Sequence, residues 1–158
     1  MQPIIPKGWW VGVDLDGTLA IQDHTQPYDP LRIGAPVSAM VERVKAWLAQ
    51  DVEVRIFTAR VGGQQDPGET SEQVIGSIHT AITAWCHRHI GVPLPITCQK
   101  DFYMFELWDD RAVTVERNTG RMLVDGALGQ IQQHIKPRIQ PACCGTGFQN
   151  NLQQEQHR

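Results

Sequence analysis

Two aspartates two residues apart, Asp14 and Asp16, stand where an apolar run ends and a glycine follows, in the stretch Val11-Gly12-Val13-Asp14-Leu15-Asp16-Gly17-Thr18-Leu19. Side chains alternate along a strand, so on a continuing strand both carboxylates would point to one face. Held that close, they repel one another unless a cation or a shared proton lies between them. Three other apolar runs also end in residues able to do chemistry. Thr58, Ala59 and Arg60 follow residues 52–57, Lys100 follows 96–99, and Asp109, Asp110 and Arg111 follow 105–108.

Three or four carboxylates call for a hard cation, and Mg²⁺ takes oxygen ligands while keeping several waters. Such a set suits phosphoryl transfer. A carboxylate on the first strand can attack phosphorus and form an acyl phosphate. A second carboxylate two residues on can protonate the leaving oxygen and then activate water. The Lys100 ammonium and the Thr58 hydroxyl would offset charge on the phosphoryl oxygens. Arg60 and Arg111 have two readings, a bidentate phosphate ligand or a structural partner of a nearby carboxylate.

The elements that must position these groups follow from hydrophobic periodicity. Trp9, Trp10, Val11 and Val13 predict a first strand over about 9–14. Val37, Met40, Val41, Val44, Trp47 and Leu48 recur at helical spacing and predict a helix from Pro36 to about Gln50, with Pro36 in its first turn and Ser38 or Glu42 at the positive end of its dipole. Residues 52–58 form the next strand. Strand, helix and strand in that order make a parallel pair with a right-handed crossover. A second helix is expected over about 71–90, with Ser71 as N-cap and Gly91 ending it before Pro93 and Pro95. Short strands are expected at 96–99 and 105–108, then a hairpin turning at Asn118-Thr119-Gly120. A weak helix over about 127–135 closes the reading, which gives one domain over 1–136 and a loose tail over 137–158. In a parallel sheet, ligands collect where the strands' carboxyl ends meet the following loops, and all the chemistry-bearing residues fall at those ends.

Composition narrows the field. At 158 residues, 41% hydrophobic and 20% charged, the chain fits one soluble globular domain. A net charge of −3 argues against a broad face for gripping duplex DNA. No apolar run approaches a membrane span and no secretory leader is visible, so a cytoplasmic protein without a membrane partner is expected. Cys86, Cys98, Cys143 and Cys144 match neither a disulfide framework nor a zinc pair, and the six histidines form no ligand motif.

Asp14-Leu15-Asp16-Gly17-Thr18-Leu19 resembles the first motif of the haloacid dehalogenase superfamily. Phe57-Thr58-Ala59-Arg60 resembles its second, Lys100 fits the third, and Asp109-Asp110 fits the acidic fourth; together they span residues 11–110. The resemblance implies an α/β fold, a Rossmann-like three-layer sandwich around a central parallel sheet. It implies a phosphatase with Asp14 as nucleophile and Asp16 as general acid and base, assisted by Thr58 and Lys100. Mg²⁺ would be held by Asp14, Asp16 through its backbone carbonyl, Asp109 directly and Asp110 less directly. Substrate contacts would come from Gly17, Thr18, Thr58, Ala59, Arg60 and Lys100. A phosphotransferase on the same site and a silent binding domain are the alternatives.

Two loops bear on the substrate. Residues 20–36 are polar and proline-containing, long enough for a flap, and 61–70 are glycine-rich; neither is large enough for a separate cap domain. His24 and Tyr28 are the flap residues that could meet substrate. Gly91-Val92-Pro93-Leu94, Asp109-Asp110-Arg111 and Pro27-Tyr28-Asp29 are similar to polynucleotide 3′-phosphatase domains, although no GxxxxGK[ST] kinase loop accompanies them. The partner implied is a phosphorylated small molecule, a nucleotide or a nucleic-acid end.

Overall fold

The computed structural model describes residues 5–62 and 72–123. The chain divides into two units, Met1–Ala112 and Val113–Arg158. Ser71, most of the glycine-rich loop, the expected helix over 127–135, Cys143, Cys144 and the 137–158 tail lie outside the described residues.

In the first unit, β1 (Trp10–Asp14), α1 (Ser38–Leu48), β2 (Glu53–Phe57), α2 (Glu72–His89), β3 (Ile96–Thr97) and β4 (Met104–Trp108) follow one another. The four strands form one all-parallel sheet in the order β3-β2-β1-β4. The fold is therefore α/β. The chain steps outward from β1 to β2 to β3, then returns to the far side of β1 to lay down β4. Strand order reverses between β1 and β4, and the crevice at their carboxyl ends is where a sheet of this kind offers a ligand site.

Val11 and Val13 of β1 and Val54 and Ile56 of β2 share one buried cluster with Met40, Val41 and Val44 of α1 and Ile78, Ile82, Trp85 and Cys86 of α2. Both helices thus pack on one sheet face, as two successive right-handed crossovers in the same direction require. The opposite face carries the alternate residues Trp10, Gly12 and Arg55. Among the described residues no helix covers it. The six residues 98–103 cross it instead, and Asp101 accepts hydrogen bonds there from Trp10 Nε1 at 2.9 Å and Arg55 Nη1 at 3.3 Å. Among the described residues, helices therefore cover one side of the sheet. The physical reason is the shortness of the β3-to-β4 connection, half of what a helical crossover needs.

Local rules account for the element ends. α1 begins at Ser38, two residues later than expected, because Val37 donates its N–H to the Leu19 carbonyl (2.9 Å) and stays extended as the N-cap. Pro36 pairs with Ala20 rather than opening the helix. Glu42 lies beyond the first turn and pairs with Lys45 at 3.2 Å. After α1, Val52 N–H reaches the Trp47 carbonyl and Asp51 adopts φ 58°, a left-handed cap that ordinarily goes to glycine. α2 closes on Gly91, φ 104°, as its sequence predicts. No helix among the described residues is long and apolar enough to cross a membrane.

In the second unit, Val115 pairs antiparallel with Met122 around a turn with positive φ at Asn118 and Gly120, and Arg121 binds Glu116 at 2.9 Å. That is the expected hairpin.

Candidate active site

β1 delivers Asp14 to its carboxyl end, and the chain turns there on residues that cannot leave the core. Leu15, Leu19 and Ala20 are fully buried, and Leu19 N–H and Ala20 N–H bond back to the Asp14 and Leu15 carbonyls. Between them Gly17 takes φ 92°, and a Cβ on it would lie 2.6 Å from Asp110 Oδ2. Glycine is needed twice over, for the backbone angle and for the approach of the carboxylate. Thr18 fastens the same contact: its Oγ1 accepts from Asp110 N–H at 3.0 Å and lies 3.4 Å from Asp110 Oδ1.

The result is a cluster of three carboxylates, Asp14, Asp109 and Asp110, each with an oxygen within 4.8 Å of the others. Oxygens this close could share one cation. Cluster and burial act on Asp14 together. Burial first, then the charge of Asp109, push its carboxyl from 3.8 up to about 7; Asp110 and Asp16 add to the rise and the Leu15 backbone hydrogen bond opposes it. A cation is the simplest relief for a carboxylate so placed.

Asp16 belongs to a different network. Arg60 donates Nε to its Oδ2 at 2.7 Å and Nη2 to its Oδ1 at 2.6 Å. The same guanidinium donates to the carbonyls of Asp29 (3.5 Å), Pro30 (2.7 Å) and Arg32 (3.0 Å). All five of its N–H groups are thereby committed, and its side chain is only 7% exposed. The two readings of Arg60 resolve in favour of the structural one: it clamps Asp16 to the flap and has no donor left for a substrate. Thr58, buried at the end of β2, accepts from Arg60 N–H at 3.2 Å and starts the tight helical turn Ala59–Val61 that aims the guanidinium.

These groups line one cleft of about 580 Å³, with Asp14, Asp16, Phe57, Thr58, Ala59, Arg60 and Asp109 on its walls and Gln22, Tyr28 and Arg111 at its rim. Arg111 donates to Gln22 Oε1 at 3.2 Å, and its N–H caps Asp109 Oδ1 at 2.7 Å. Sequence spacing flagged Arg111 and Tyr28, whereas nothing in the pattern marked Gln22. Lys100 does not line the cleft. It is exposed, three residues beyond β3, on the segment that runs back across the sheet, and it makes no hydrogen bond or ion pair among the described residues. Neighbouring Asp101 is engaged by Trp10 and Arg55 instead.

Residues away from the cleft have structural explanations. Cys86 is fully buried and its thiol is pushed up to about 11 by that burial, so it is an inert packing group. His89 packs on Trp85 with the ring centres 4.7 Å apart and the planes tilted by 50°. The chain matches no protein-family model and no curated protein.

Proposed function

We propose that the protein is a Mg²⁺-dependent phosphomonoester hydrolase of the haloacid dehalogenase type, working through an aspartyl phosphate. The observation that carries this reading is the convergence of Asp14, Asp109 and Asp110 at the β1/β4 switch point, beside a separately held second carboxylate, Asp16. The interior position of β1 and the motif residues that follow β1, β2 and β4 support the same family.

Asp14, Asp109 and Asp110 would hold the cation, which would neutralise the carboxylates and polarise the phosphoryl group. Asp14 Oδ attacks phosphorus in line, an O–P bond forms, and the bond to the ester oxygen breaks. Asp16 gives a proton to the departing alkoxide and takes one from the water that then attacks the acyl phosphate, releasing inorganic phosphate and restoring Asp14. Arg60 holds Asp16 in one rotamer for the base step, and the acid step requires one of its two bonds to Asp16 to open. The Thr58 hydroxyl at the cleft wall donates to a phosphoryl oxygen. Arg111 at the rim supplies the cleft's available guanidinium, the charge-offsetting role that the motif pattern alone gives to Lys100.

The test is hydrolysis of p-nitrophenyl phosphate and an alkyl phosphate with Mg²⁺ and with EDTA. Metal-dependent turnover, abolished by Asp14→Asn, is expected. Asp16→Asn should cost far more on the alkyl ester, whose poor leaving group needs the proton, than on the nitrophenyl ester. Arg111→Ala should raise KM more than Lys100→Ala does. Absence of metal-dependent turnover across a phosphate-ester panel would overturn the reading.

A further inference from the structure

Val11 and Val13 face the helices, and their register partners on β4, Glu106 and Trp108, carry that face past them. α1 reaches this flank with long side chains. The Trp47 ring centre lies 5.1 Å from that of Trp108, and the Arg43 guanidinium lies 4.8 Å from the Trp108 ring centre. Beside them opens a cavity of about 670 Å³, walled by residues 5–9, the end of α1 with its loop to β2, and β4. It shares no wall residue with the cleft that holds Asp14. We propose that this cavity is a second ligand site, and that it takes a small organic cation with an aromatic body, an arylalkyl amine. Its ligand touches none of the residues assigned to hydrolysis.

Size, surface and charge each support this class. The volume is well within the range of small-molecule sites, about 300–1,000 Å³. Trp9, Trp47, Phe105 and Trp108 give the wall an aromatic surface for a ring to lie against. Aromatic faces also attract cations, and Trp108 already takes one in the Arg43 guanidinium. Three carboxylates, Asp51, Glu53 and Glu106, stand against one ammonium, Lys7, which pairs with none of them among the described residues. Arg55 answers Glu53 at 2.6 Å. Asp51 and Glu106 have no cationic partner among the described residues, and the Trp108 indole N–H holds Glu106 at 3.1 Å, beside the ring. An anionic ligand would meet net negative charge, and a neutral one would leave both carboxylates unanswered.

Calorimetry on the full chain at low salt compares phenethylamine, as its ammonium ion, with neutral phenethyl alcohol and anionic hydrocinnamate. The amine should bind about tenfold more tightly than the alcohol, the yield of two exposed ion pairs together, and hydrocinnamate more weakly still. Glu106→Gln and Asp51→Asn, both at exposed positions, should each weaken the amine about threefold, and the double variant should bind amine and alcohol about equally. Asparagine accepts the left-handed backbone at position 51, so the loop keeps its shape. Indole N–H resonances locate the ligand: those of Trp47 and Trp108 should shift on adding amine, and that of Trp85, bonded to the Gly34 carbonyl, should not. Asp14→Asn should bind the amine as wild type does, which separates this cavity from the acidic cleft. No amine binding, equal affinity for the alcohol in wild type, or undiminished affinity in the double variant would overturn the proposal. So would shifts confined to Trp85, or loss of amine binding in Asp14→Asn.

Discussion

Replacing the central carboxylate should make the metal-free protein more stable, and by an amount that the site's geometry sets. Burial and then Asp109 raise Asp14 from 3.8 to about 7, with smaller additions from Asp110 and Asp16 and an opposing Leu15 hydrogen bond. The folded state therefore binds this proton more tightly than the unfolded chain, and the sign is opposite to that of a salt-bridged carboxylate. Stability attributable to the group is fully present below about pH 4 and is lost as pH rises through about 7. A move from 3.8 to about 7 is worth about 4 kcal/mol. Asp14 is only partly buried, so solvent screening brings this nearer ~2 kcal/mol. Asp14→Asn removes the charge and keeps the shape. In EDTA at pH 8 it should be more stable than wild type by about 2 kcal/mol, and at pH 4 the two should be nearly equal. Urea unfolding followed by tryptophan fluorescence reads both values. Mg²⁺ at about 100 times its Kd should then add about 3 kcal/mol to wild type and much less to the variant. An Asp14→Asn protein no more stable than wild type at pH 8 without metal would refute the idea that this carboxylate is strained by its neighbours.

Three further expectations concern the scaffold. Gly17→Ala forces a Cβ onto Asp110 at φ 92° and should cost about 1–2 kcal/mol in unfolding experiments, with Mg²⁺ affinity by calorimetry falling about tenfold. Arg60→Met leaves a carboxylate and three flap carbonyls without their donor; a loss of about 3 kcal/mol and faster proteolytic cleavage within 22–34 should follow. Asp51→Gly relieves the left-handed cap after α1 and should stabilise the fold by about 0.5 kcal/mol, measurable as a higher urea midpoint at constant m.

The sheet and the acidic cluster were legible in the sequence because they rest on local signals. Strand runs, the Asp-x-Asp-Gly turn and the glycine after α2 each declare themselves within a few residues. Arg60 could not be resolved that way. Its role depends on carbonyls at 29, 30 and 32 arriving over it, and a backbone carbonyl leaves no trace in residue type. Lys100 is placed less directly by the same signals. Its position after an apolar run matches the other strand ends, yet β3 stops at Thr97 and the chain must already turn back to begin β4 beside Trp10. Asp101, tied to Trp10 and Arg55, fixes that return path. The β3-to-β4 connection carries no helix for the same reason, since six residues are too few to hold one and still cross the sheet.

The stapled base of the flap has a consequence for how such a domain can change. Ile21 N–H bonds to the Ala35 carbonyl at 2.8 Å and Val37 N–H to Leu19 at 2.9 Å, so the flap begins and ends at one closed point just before α1. A loop whose ends already meet can be lengthened at little entropic expense, about 0.6 kcal/mol for each doubling. Residues 27–32 must stay to hold Arg60 and Arg32, whereas Asp23, Thr25 and Gln26 hydrogen-bond among themselves. That short span is a graft point: exchanging it would alter which molecules are admitted while the carboxylates at the ends of β1 and β4 keep their geometry.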